Sequence, residues 1–191
     1  ERSVDNAEEL QGFTDTSTVS WINLDGLHDT ELVGRIGDLF GIHPLVQEDI
    51  VNTHQRPKAE EYDNCIFAVI KMLMFDEQQL KLVSEQVSIV MGAGFVISFQ
   101  EKTGDVFDGI RERLRANKGR ARRMGSDYLM YILLDALVDS YFSILEKTGE
   151  RIEDIEDRVT LNPNEQLLQQ IHEVRKLVTS LRRSIWPLRE L

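Results

Sequence analysis

The chain has little of what small domains use to supplement a weak core. A single cysteine, Cys65, among 191 residues rules out a disulfide framework and leaves no pair for a thiolate metal centre. A reducing cytosol is the default compartment for such a chain. Apolar runs such as Ile66-Phe67-Ala68-Val69-Ile70 fall far short of the roughly 20 residues a membrane-crossing helix requires, so no transmembrane segment is expected. The chain opens Glu1-Arg2-Ser3-Val4-Asp5 with neither Met nor an apolar leader. That start is read as lacking a secretory signal and as the cut edge of something longer. No Gly-rich phosphate loop follows a strand, and no serine sits in a Gly-x-Ser-x-Gly turn, so catalysis has no positive sign. Positive charge is also short: 22 Lys and Arg against 33 Asp and Glu give a net charge of −11. That balance disfavours a nucleic-acid backbone as partner and favours cations or basic surfaces.

What is present, 41% hydrophobic and 29% charged residues, is enough for one core, in one domain or a domain with an appendage. The charge is blocked, not mixed. Residues 1–62 hold 4 basic against 13 acidic side chains, residues 111–123 hold 7 against 1, and residues 126–165 hold 3 against 10. The basic block lacks interleaved aromatics, so it is read as a salt-bridging surface toward one of the acidic blocks.

Thr18-Val19-Ser20-Trp21-Ile22-Asn23-Leu24 predicts a strand, and Leu32, Val33, Ile36, Leu39 and Phe40 follow helical spacing. A short helix is predicted to start at Pro44 and to end before Pro57. Apolar residues from Cys65 to Met74, a break at Asp76-Glu77-Gln78-Gln79 and renewed alternation over Leu80–Val90 predict a hairpin. Met91-Gly92-Ala93-Gly94 then turns the chain into Phe95–Phe99, and helical spacing resumes at Val106, Phe107, Ile110 and Leu114. Residues 1–123 therefore predict a layered α/β domain. Residues 124–191 differ in kind. Leu134, Leu137, Tyr141, Ile144, Thr148, Ile152, Ile155 and Val159 form a near-heptad seam, and Asn162-Pro163 caps and restarts the chain. Leu167, Ile171, Val174, Val178, Leu181, Ile185 and Leu188 then alternate strictly by four and three, which predicts two antiparallel helices with more helix expected after Leu191.

Chemistry concentrates at Phe40-Gly41-Ile42-His43-Pro44-Leu45-Val46-Gln47-Glu48-Asp49-Ile50 and the following Asn52-Thr53-His54-Gln55-Arg56-Pro57-Lys58. His43 and His54 lack a third ligand at fixed spacing, and His43 is better placed to shape the start of a helix. Glu48 and Asp49 are adjacent on a helix, so their side chains diverge and a second element must complete any ion site; both are expected to be displayed outward. Asp135 and Asp139 lie one turn apart, and Glu146, Glu150, Glu153 and Asp157 extend that acidic stripe. Like charges so spaced repel, and a cation would relieve them; a solvated helix face accounts for the stripe equally simply.

The His43-to-Lys58 wording resembles the cytoplasmic part of the CorA family of magnesium and cobalt transporters. The resemblance continues in Trp21-Ile22-Asn23, Ser84-Glu85-Gln86-Val87-Ser88, Phe99-Gln100-Glu101-Lys102, Leu134-Asp135-Ala136-Leu137-Val138-Asp139 and Ile185-Trp186-Pro187-Leu188-Arg189-Glu190, from about Val19 onward. The family's Gly-Met-Asn motif at the pore mouth is absent, and so are its membrane helices. The resemblance implies an α/β/α sandwich with a largely antiparallel or mixed sheet followed by a long antiparallel helix pair. It also implies a homopentamer at the cell inner membrane with this portion on the cytoplasmic side, joined to the membrane only through C-terminal helices outside this sequence. Divalent cations, Mg2+ with Co2+ as a substitute, would bind between neighbouring copies and gate the pore by feedback. By motif the metal ligands are Glu48, Asp49 and Asp135, with Asp139 on the next turn, completed by an acidic residue of a neighbour beyond Leu191. A zinc-transporting relative of the same fold and a soluble metal-binding or helical interaction module are the alternatives, and an enzyme is a distant third.

Overall fold

The computed structural model describes residues 1–4, 6–13, 18–76, 81–161 and 164–190. Of the break expected at Asp76-Glu77-Gln78-Gln79, Asp76 still belongs to the strand that starts at Cys65, and the other three residues, like Asn162-Pro163, lie outside these residues.

Five strands, β1 (Ser20–Asp25), β2 (Lys58–Glu61), β3 (Cys65–Asp76), β4 (Lys81–Gly92) and β5 (Phe95–Gln100), form one mixed sheet in the order β1-β5-β4-β3-β2. The apolar alternation of β3 and β4 pairs them in register from Cys65 opposite Gly92 to Asp76 opposite Lys81. At the β4–β5 turn Gly94 has φ +82°, a conformation open to glycine, and the chain reverses tightly enough to pair Gly92 with Phe95. β1 lies parallel to β5, because the long excursion through the rest of the domain separates them; the other pairs are antiparallel.

The alternation of each strand sends side chains to two cores on opposite faces. On one face, Phe67, Val69, Val90, Ile97 and Phe99 meet α1 (Thr30–Leu39) and α2 (Pro44–Val51), whose Val46 and Ile50 are fully buried. On the other, Ile70, Met72, Val87, Ile89 and Val96 meet α3 (Asp108–Arg115), α4 (Ser126–Leu161) and α5 (Glu165–Ile185) through Ile110, Leu133, Leu137, Tyr141 and Leu181. The expected sandwich of helices around a mixed sheet, followed by long helices, is the fold observed.

Helix starts follow local chemistry. The Nδ1 of His43 accepts from the Leu45 N–H at 3.2 Å with Pro44 at the first helical position, so this histidine caps α2. Asp29 and Asn164 cap α1 and α5 in the same way, accepting from Leu32 and Leu167. β2 was not foreseen in the sequence. Its Lys58 and Glu60 turn toward α2, so it carries charge where a strand usually carries apolar residues.

One register differs from expectation. In α5 the buried side chains are Leu167, Val174, Leu177, Leu181 and Ser184, whereas the predicted seam residues Ile171 and Val178 are exposed. Ile152 and Val159 of the α4 seam are exposed too. Leu167, Val174 and Leu181 of the predicted α5 seam do turn inward, and Leu177 and Ser184 take the places expected of Ile171 and Val178; the packing partner, not the spacing, selects which residues beside that shared row are covered. Among the described residues, α4 is the one helix long and apolar enough to cross a membrane by length and composition. Much of that apolarity covers the sheet, where Leu133 and Leu137 are fully buried.

Candidate functional site

α2 ends against the β2 edge of the sheet, and its C-terminal turn is pinned from beneath. Gln86 of β4, fully buried, donates through Nε2 to the carbonyls of Asp49 and Asn52, both at 3.2 Å, which satisfies acceptors a helix end would leave orphaned. Lys71 of β3 donates to the Thr53 carbonyl at 2.7 Å and to the Gln86 Oε1 at 3.2 Å. Burial pulls the Lys71 ammonium below its ordinary value, against the opposing charge of Glu101.

On this platform the Asp49 carboxylate turns toward β2, where Lys58 Nζ donates to its Oδ2 at 2.6 Å and Gln55 Nε2 to its Oδ1 at 2.6 Å. The same ammonium donates to Oε1 of Glu60 at 2.8 Å, and the Tyr62 hydroxyl donates to Oε2 at 3.0 Å. The Tyr62 ring in turn stacks on the cap residue His43, with centroids 5.7 Å apart. Glu60 is held below the usual carboxylate range, chiefly by the hydrogen bond from Lys58. Lys58 feels desolvation first, which opposes its charge, yet the bonds to Asp49 and Glu60 leave it raised. Asp49 is thus half-buried and partnered, which corrects the expectation that both acids are displayed outward. Only Glu48 is, on the solvent side of α2, with no ion pair among the described residues. Lys58, Gln55, Glu60 and Tyr62 were missed because they belong to a loop and a strand; no periodicity links them to Asp49.

Asp135 and Asp139 are both exposed on α4, as are Glu146, Glu150, Glu153 and Asp157. Asp135 sits within a second apolar stripe on the outer side of the helix, formed by Tyr131, Val138, Phe142, Leu145 and Ile152, of which Phe142 is 65% exposed. That stripe steps by sevens, fours and threes, the spacing of a helix–helix seam. Since α2 and α4 cover opposite faces of the sheet, Glu48 and Asp49 are not brought together with Asp135 and Asp139 inside one chain.

The donor set nevertheless fits a hard divalent cation. All four candidates offer carboxylate oxygen, and no group of three His, Cys, Asp or Glu among the described residues could hold an ion by itself. One or two carboxylates with retained water is the Mg2+ pattern, whereas zinc favours closed sets of Cys and His. Of the basic block, Arg111 grips Asp105 with two bonds at 2.6 and 2.5 Å and is raised above its ordinary value mainly by them. Arg115 pairs with Glu1. These two connect the block to acids of its own chain.

A family model described as CorA-like Mg2+ transporter protein matches residues 16–191. The cobalt/magnesium transport protein CorA of Thermotoga maritima is 48% identical over 186 residues, spanning 97% of this chain and 53% of that protein. The chain thus spans about half the length of that relative. Among solved structures, the soluble domain of CorA from Methanocaldococcus jannaschii superposes with a TM-score of 0.69 at 18% identity, over 88% of this chain and 69% of that one. The ZntB cytoplasmic domain of Vibrio parahaemolyticus superposes with a TM-score of 0.64 at 16% identity, over 91% and 69%. At these identities the two structures establish likeness of fold.

Proposed function

The chain belongs to the CorA-like Mg2+ transporter family, and on that premise we propose that it is the cytoplasmic, divalent-cation-sensing part of a membrane transporter. Membership of a transporter family leaves no place for the enzyme reading. The observation that carries the sensing role is the placement of Glu48 and Asp49 on one face of the sheet and Asp135 and Asp139 on the other. The two pairs cannot share an ion within one chain, so an ion held by both bridges copies of the chain. A pentamer with Mg2+, or Co2+ in its place, at each boundary meets that requirement. The cargo through the pore would be the same class of ion.

Mechanistically, an ion screens carboxylates that face one another across a boundary, so high cytosolic Mg2+ favours the closed, symmetric assembly. When Mg2+ falls, repulsion loosens it. An ion shifts such an equilibrium only by its differential affinity for the two states, and several weak sites acting together give a steep response. In the full-length protein, Asp49→Lys is expected to weaken the Mg2+-dependent protection from chymotrypsin. Protection unchanged from wild type would overturn the assignment. Zinc stays the second reading on the sequence resemblance alone; the likeness to a ZntB domain is one of fold. Oxygen-only donors favour Mg2+, and competition between the two metals for protection of the full-length protein discriminates.

A further inference from the structure

Asp49 is not a vacant ligand. Lys58 Nζ lies 2.6 Å from Asp49 and 2.8 Å from Glu60, joining carboxylates from a helix and an edge strand. The two remaining oxygens are also taken, by Gln55 and by Tyr62. The ammonium is held besides over the Phe67 ring, 5.7 Å from its centroid. Two carboxylates converging on one cation, with every oxygen satisfied, is the arrangement of an ion site whose ion is supplied by the chain itself.

We infer that Lys58 is a tethered competitor for the divalent cation, occupying the place at Asp49 that Mg2+ takes and setting the concentration at which Mg2+ can enter. The inference rests on the reading of Asp49 as a ligand given above. An ion arriving at Asp49 must displace an ammonium that is part of the same molecule and never diffuses away, so its apparent affinity is lowered by whatever the lysine's hold contributes. No such toll applies to the exposed Asp135. The exchange also has a mechanical side. The Lys58–Asp49 bond ties α2 to β2, so a cation that takes Asp49 releases that tie and leaves Lys58 to Glu60 alone.

The test is the midpoint of Mg2+-dependent protection from chymotrypsin in the full-length protein. Lys58→Met keeps the apolar stem over Phe67 and removes the charge; its midpoint is expected to fall about tenfold, the equivalent of about 1.4 kcal/mol. Lys58→Gln, which can still donate to the carboxylates, is the second variant should the first fold poorly, and the same direction is expected. Lys58→Arg retains a cation and is expected to show no fall. If Asp49→Asn raises the midpoint while Lys58→Met and Lys58→Gln leave it unchanged or raise it, the competitor role is overturned and the ligand reading stands. If Asp49→Asn leaves the midpoint at the wild-type value, the ligand reading itself fails.

Discussion

The corner where α2 meets β2 and the outer face of α4 present the same functional group in opposite ways. At the corner, Asp49 and Glu60 are half-buried, every carboxylate oxygen has a donor, and the local charge is partly cancelled from within. On α4, Asp135 and Asp139 stand in solvent beside exposed apolar side chains. A partnered carboxylate is positioned but must be released before it can ligate, whereas a bare one is available but is positioned by nothing in its own chain. Sequence motif alone makes the two look alike. The difference predicts that substitutions at the corner change stability and that substitutions on the outer face do not.

The largest effect follows from the anchor of the corner. Ile50 is fully buried under α2, and Ile50→Ala is expected to cost about 2–5 kcal/mol through lost burial and the cavity left behind. Phe142→Ser, at a side chain 65% exposed on α4, is expected to stay within about 0.5 kcal/mol. Urea denaturation of the two proteins checks this. An Ile50→Ala cost no greater than that of Phe142→Ser would mean that α2 is not held by the core beneath it.

A smaller effect separates the carboxylates themselves. Without divalent cations, Lys58→Met leaves Asp49 and Glu60 facing each other and is expected to destabilise by about 1–2 kcal/mol; the more exposed Glu60 holds the figure down. Asp135→Asn is expected to lie within about 0.5 kcal/mol and on the stabilising side, because it relieves repulsion from Asp139 one turn away. For Lys58→Met, the loss of stability and the expected gain in Mg2+ affinity have opposite signs. Thermal melts in a chelator followed by melts in Mg2+ read both.

The elements built on apolar periodicity or cap chemistry were legible from the sequence. The β3–β4 hairpin, β5, the helix starting at Pro44 and the existence of the long helix α4 all follow from residues that fix their own surroundings. β2 was not legible, because a strand that turns Lys58 and Glu60 toward α2 breaks the apolar alternation by which strands are found. The inward face of α5 was misread only in part: Leu167, Val174 and Leu181 turn inward as predicted, but Ile171 and Val178 satisfy heptad spacing as well as Leu177 and Ser184 do, and only contact with α4 and the sheet decides between them. Of the candidate site, the carboxylates could be named from motif. That Asp49 already has a cation could not, since the bond to Lys58 joins positions nine residues apart in different elements.

A third state of a carboxylate refines the contrast, and pH exposes it. Glu85 on β4 is buried, takes the Lys102 N–H at 2.8 Å on one oxygen, and has no partner on the other among the described residues. Burial, reinforced by the charge of Glu101, pushes its carboxyl above the ordinary value. Glu60 moves the other way, lowered chiefly by Lys58. The signs of their contributions to folding are therefore opposite. Glu60 stabilises above the ordinary glutamate value, and that contribution is lost as pH falls through its lowered folded value. Glu85 contributes fully below the ordinary value, and its contribution is lost as pH rises through its raised folded value. Melting curves from about pH 3 to pH 8 are expected to show Glu60→Gln with a shallower acid limb than wild type. Glu85→Gln is expected to hold its stability better as pH rises from about 5, since an amide keeps the shape without the charge. An unchanged pH profile for Glu85→Gln would mean that the open oxygen is satisfied after all, and Glu85 would then belong with the partnered carboxylates.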